Sequence, residues 1–130
     1  MWKEKLPIDC PPSSAKELDT EAYRILKSEE PNESDFLPYV YLHPENERYK
    51  TLCEAYAISS FDSEKNAIKA WKGALKRGKN IGTHIAKVEI ALSDGRNDFN
   101  QNSGHYSTWL YESKNYDTFE CSNIKIISEN

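Results

Sequence analysis

Residues 21–27 alternate in the manner of a strand. Ala22, Arg24 and Leu26 fall on one side, and Tyr23, Ile25 and Lys27 on the other. Pro31 closes this segment. Ser34-Asp35 can then cap a short helix carrying Phe36, Leu37 and Val40, with Pro38 either limiting its length or occupying its first turn. Residues 43–47 are a polar loop. Residues 55–61 form a short apolar run that fits a buried strand ending in Ser59-Ser60-Phe61. Asp62 or Ser63 next caps the clearest helix of the chain. Its apolar stripe is Ala67, Ile68, Trp71, Ala74 and Leu75, and Gly78 suits its C-terminal cap. Residues 84–92 alternate again, with Ala86, Val88, Ile90 and Leu92 on one face and Lys87 and Glu89 on the other. Residues 93–104 are rich in Asn, Asp and Gly and read as a long loop. Residues 105–111 are a strand, 115–117 a turn, and 119–127 a last strand with Ile124 and Ile126 on one face.

This order of elements predicts a single α+β domain. Its sheet is mostly antiparallel, with one main amphipathic helix and one short helix. Residues 1–20 hold Pro7, Pro11, Pro12 and Ser13-Ser14 and read as an irregular arm before a body of residues 21–130. There is no internal repeat and no linker.

Composition narrows the picture. The chain has 130 residues, of which 38% are apolar, so its core is modest and aromatics fill much of it: eight Tyr, four Phe and three Trp. A net charge of −4 argues against nonspecific nucleic-acid binding. The stripe Lys65, Lys69, Lys72, Lys76, Arg77 and Lys79 reads as the solvated face of the amphipathic helix. Cys10, Cys53 and Cys121 are widely spaced with no CxxC, so a zinc site is not expected and three reduced thiols are. With no signal-like start and no apolar run of membrane-spanning length, a cytoplasmic protein is expected.

The candidate chemistry lies in three polar insertions on apolar segments: Tyr23-Arg24, Ser59-Ser60 and His105-x-Ser107-Thr108-Trp109. If the three segments share a sheet, these residues line one cleft. Each has a plainer role as well. Arg24 can pair with Asp35 or Glu54 at the surface, and Ser59 and Ser60 can simply shape the entry to the helix. His105 can be a loop-end residue or a catalytic base, and Trp109 suits the core. His43, His84 and His105 show no metal-ligand spacing, and residues 93–98 resemble a calcium loop in composition only.

Two resemblances add to this reading. The ordered segments Leu6-Pro7, Tyr23-Arg24-Ile25-Leu26-Lys27, Pro31 and Asp35-Phe36-Leu37 resemble the opening of a family of small, uncharacterised bacterial proteins. So do Ala57-Ile58-Ser59-Ser60-Phe61-Asp62 followed by Ala67, then Ile85-Ala86-Lys87, then His105-x-x-Thr108-Trp109-Leu110. That family often carries Trp-Trp-Pro where this chain has Trp109-Leu110-Tyr111. The resemblance implies bacterial or phage origin and a shared fold, but no activity.

The layout of a strand with Tyr-Arg, a strand ending in Ser and an aromatic, and a helix opening Asp-Ser-Glu is similar, more distantly, to the ADP-ribosyltransferase architecture. That resemblance implies NAD as the ligand. Arg24 would hold the dinucleotide, Ser59 or Ser60 would support the nicotinamide ribose, and a late-strand polar residue would direct transfer. Glu112 and Glu120 are candidates for that last role, although no Glu-x-Glu or Gln-x-Glu pair is present, and His105 is a candidate base or substrate-orienting group. Tyr23, Phe61 and Tyr106 would stack on a base or on the nicotinamide ring. The expectation is a toxin or effector of a bacterial conflict system. The alternative is a non-enzymatic immunity, antitoxin or accessory protein that binds a partner encoded by a neighbouring gene.

Overall fold

The computed structural model describes residues 1–127, so the last three positions of the expected body lie outside the described residues. Six strands and two helices make an α+β domain. In chain order they are β1 (Thr20–Leu26), α1 (Tyr39–Leu42), β2 (Ile58–Phe61), α2 (Glu64–Lys76), β3 (His84–Ile90), β4 (Gly95–Asn100), β5 (His105–Leu110) and β6 (Cys121–Ile126). The strands form one sheet in the order β4-β5-β2-β1-β3-β6, every neighbouring pair antiparallel.

The ladders are unequal. β1 and β3 pair along their whole length, from Thr20 opposite Ile90 to Leu26 opposite His84. β2 and β5 pair from Ile58 opposite Thr108 to Phe61 opposite His105. Between β1 and β2, by contrast, the register holds at Tyr23 and Phe61 alone, and the two strands part beyond it. The sheet therefore has a seam at its centre.

The alternation expected for β1 sorts its side chains as read. Ala22 and Leu26 enter a core with Phe36, Ile58, Ala86, Val88 and Leu110 on one face. Tyr23 and Ile25 pack on the other face with Phe61, Ala67, Trp71 and Ile85, under α2. On that same face Trp109 meets Ala15 and Ala57, and the arm closes over them. Trp109 is 1% exposed and donates its indole N–H to the Cys53 carbonyl at 3.0 Å, so it is a core residue. Helix α2 begins where expected, with the Ser63 hydroxyl accepting the Asn66 amide at 3.1 Å. Gly78 follows its C-terminus at φ 75°, the left-handed conformation that favours glycine.

Four expectations need correction. Residues 93–104 are not one long loop, because Gly95–Asn100 is the edge strand β4, hairpinned to β5. Its polar composition hid it: the side chain of Asn97 is buried and accepts the Thr108 hydroxyl at 2.6 Å, while the Asn97 backbone pairs with Lys16 of the arm. The short helix near residue 36 is two pieces. A 3-10 turn at Glu33–Phe36 is capped by Asn32, with Asp35 completing a capping box, and Pro38 leads separately into α1. Leu37 precedes that proline and is extended, as such residues must largely be. Residues 53–56 form a 3-10 turn, so β2 starts only at Ile58. Finally, the thiols are not all reduced. Cys10 and Cys53 are joined by a disulfide across 43 residues, leaving Cys121 free among the described residues.

The arm is part of the domain. Trp2 bridges to Tyr111, and the hydroxyls of Tyr41 and Tyr116 both donate to the Glu4 carboxylate. Burial together with that carboxylate holds both phenols above the usual tyrosine range. Among the described residues no helix is long and apolar enough to cross a membrane.

Candidate functional site at the central seam

Arg24 belongs to the Ala22–Leu26 side of β1, yet its guanidinium enters the gap that opens when β1 leaves β2. There it donates through Nε and Nη2 to the Asp35 carbonyl, and through Nη1 to the Ser59 carbonyl that β1 no longer covers. The ring of Phe36 lies beneath, 5.4 Å from the guanidinium carbon. Burial lowers the Arg24 pKa from 12.5 to about 10, with Tyr39 and Asp35 acting in the opposite sense, so the group is cationic at neutral pH. The ion pair with an Asp35 or Glu54 carboxylate is not what forms. The Asp35 carboxylate instead accepts the backbone amides of Lys27 and Asn32, each at 3.0 Å. A guanidinium has five N–H donors; these hydrogen bonds engage three of them, and the side chain lines both cavities of the cleft.

Ser59 and His105 meet beside it. The Ser59 hydroxyl is hydrogen-bonded to His105 Nε2, and the edge of Phe61 faces the imidazole with ring centroids 5.2 Å apart. Burial first, and the Arg24 charge second, lower the His105 pKa, so the ring is neutral at pH 7. A neutral imidazole against a hydroxyl can take or relay that proton. Gly104, at φ 70°, sets His105 in place; a Cβ there would lie 2.2 Å from an Asp62 carboxylate oxygen.

Two cavities meet at this cluster. Arg24, Tyr39, Ser59 and His105 line both. One, of about 390 Å³, extends under the arm side past Tyr49, Leu52, Glu54, Asp98 and Ser107. The other, of about 380 Å³, extends under α2 past Lys27, Phe61, Ala70, Ala74, Arg77 and Lys79. Tyr39 also stacks on Tyr49 at 5.8 Å, and His43 closes the aromatic group at 5.9 Å from each ring.

Arg24, Ser59 and His105 are thus brought together, with Phe61 against them. The other expected site residues are elsewhere. Ser60 is turned to the opposite face of β2 and is buried, its hydroxyl without a partner. Tyr23 packs under α2, and Tyr106 packs on Phe99 at 4.7 Å on the far face. Glu112 lies past the other end of β5, 73% exposed and 3.5 Å from the N-terminal amine, while Glu120 is exposed before β6. The carboxylates that line the arm-side cavity are Glu54 and Asp98. Asp98 was hidden in the segment read as a loop, and Tyr39 and Tyr49 in turns with no periodic signal. Among the described residues no three His, Cys, Asp or Glu side chains gather as a metal site.

No family model, curated protein or solved structure matches this chain.

Proposed function

We propose that the central seam is a nucleotide cleft of the ADP-ribosyltransferase kind. It would take NAD, and the protein would act as a toxin or effector in a bacterial or phage conflict system. The observation that carries this reading is the convergence of Arg24, Ser59 and His105. They come from three neighbouring strands to the one point where the sheet opens into two cavities. The free donors of Arg24 address a phosphate or ribose oxygen. Tyr39 and Tyr49 offer a stacking surface to a planar ring. Glu112 has no part in it. Asp98, opposite Ser107 in the β4–β5 ladder, is the carboxylate that would stabilise the positive charge on the ribose as nicotinamide leaves. The Cys10–Cys53 bond favours an oxidising compartment, hence an exported effector rather than the cytoplasmic protein expected from the cysteine spacing.

The test is titration of the purified protein with NAD, followed by mass spectrometry for nicotinamide release. Arg24→Lys is the informative variant. It keeps a charge but loses the fork, whereas Arg24→Ala strands two backbone carbonyls. NAD affinity falls by about tenfold or more in Arg24→Lys, and Asp98→Asn keeps binding but loses release. A well-folded wild type that binds no NAD would sink the reading.

A second reading keeps the fold but not the chemistry. Tyr39 and Leu52 are exposed large apolar residues lining the cleft, of the kind that anchors protein interfaces. An immunity, antitoxin or accessory protein would use them to bind the product of a neighbouring gene. A stable complex on co-expression, without NAD binding, would favour it.

A further inference from the structure

The two cavities at the seam differ in charge. The arm-side cavity carries Glu54 and Asp98 against Arg24. The α2-side cavity is lined by Arg24, Lys27, Arg77 and Lys79, with Asp35 its only acidic residue. The Asp35 carboxylate is already held by the amides of Lys27 and Asn32. Among the described residues Lys27, Arg77 and Lys79 form no ion pair. A chain of net charge −4 thus places four cations and one carboxylate around a single hollow, a local excess of positive charge. A hollow with that excess favours an anionic ligand.

Helix α2 does not account for these charges. Cations at a helix C-terminus complement its dipole, but Arg24 and Lys27 belong to the β1 end, not to α2. The last turn of α2 is also satisfied by backbone: the Arg77 and Lys79 amides bond the Ala74 carbonyl at 3.0 and 2.9 Å, and the Gly78 amide bonds Leu75 at 2.9 Å. Small residues keep the hollow open. Ala70 and Ala74 line it, and the Arg77 guanidinium lies back along the helix toward Gly73. At about 380 Å³ the hollow is within the range of small-ligand sites.

We propose that the α2-side cavity is a polyphosphate lobe. Lys27, Arg77 and Lys79, with Arg24 at the junction, take a diphosphate, and the nicotinamide end of the ligand, its ribose beside Asp98, lies in the arm-side cavity on Tyr39 and Tyr49. This rests on the nucleotide reading for the identity of the base, but not for the anion. It fixes the ligand class as a diphosphate-bearing nucleotide and its orientation across the seam. The lysine and arginine at the end of the helix stripe, read from sequence as a solvated face, gain a ligand-binding role.

The test is calorimetric titration at low salt with inorganic pyrophosphate, ADP-ribose, adenosine and NAD. It compares wild type with Arg77→Glu/Lys79→Glu and Arg77→Gln/Lys79→Gln. Both positions are exposed, so the variants fold, and circular dichroism checks that they do. Pyrophosphate and ADP-ribose bind the wild type. Affinity falls by about tenfold or more in the Glu variant and less in the Gln variant, and weakens with added salt. Adenosine binding is unchanged. The inference is overturned if pyrophosphate does not bind the wild type, or if both variants bind it as the wild type does, even where NAD binding persists. Pyrophosphate binding lost in the variants, with no NAD binding by the wild type, keeps the lobe and removes the transferase reading.

Discussion

His105 makes the cleft sensitive to pH. Its pKa is lowered below the ordinary 6.5 by burial and by Arg24, so the folded protein binds this proton less readily than the unfolded chain. The stability linked to it is complete above about pH 6.5 and is lost as pH falls toward the folded value. Urea midpoints measured between about pH 5 and 8 should decline on the acid side, and the decline should be shallower in His105→Gln. An unchanged slope in that variant would remove His105 as its source. At this scale much of the site was legible. Arg24, Ser59 and His105 stand out as polar residues on apolar segments. Alternation allowed only one of Ser59 and Ser60 to face the cleft, and the pairing of Ser59 with Ser107 beside His105 decides which. The donors of Arg24 were not legible. Their partners are backbone carbonyls of Asp35 and Ser59, and a carbonyl carries no sequence signature.

Helix α2 is the element its sequence specifies best, because stripe, cap and terminal glycine agree. Its cap is directly testable. Ser63→Ala removes the acceptor for the Asn66 amide and should lower stability by about 1 kcal/mol, read from urea unfolding. A loss near zero would mean that Asp62, already bonded to the Asn66 side chain at 2.8 Å, takes over as the cap. β4 shows the opposite case. An edge strand paired on one side with β5 tolerates Asn and Asp, and its buried polar atoms find partners in Thr108 and Lys16. Composition pointed to a loop, and the pairing that overrules it comes from residues far along the chain. Likewise Pro38 was visible, but whether it shortened one helix or opened a second depended on how the segment folds over the seam.

The arm and the turns that wall the cleft are tied at the scale of the whole molecule by Cys10–Cys53 and by Glu4 with its two tyrosines. Replacing both cysteines with Ser should lower stability by about 2–4 kcal/mol, the range expected when a loop of this length is released. Thermal melts of the variant, and of the wild type with and without reductant, measure this. Equal melting temperatures throughout would mean the bond does not form in solution. Pairing of the two cysteines depends on the arm lying back along the body, which no spacing rule encodes. By itself the sequence determined the fold class, the strands β1, β2, β3, β5 and β6, helix α2 and, of the candidate site, Arg24, Ser59, Phe61 and His105, because period and capping are local properties of the chain. The tertiary structure alone decided the strand order, the parting of β1 from β2, the two cavities of unlike charge and the exclusion of Glu112. Each of these depends on which distant segments share an edge, and the energy that selects those pairings is distributed over the whole core.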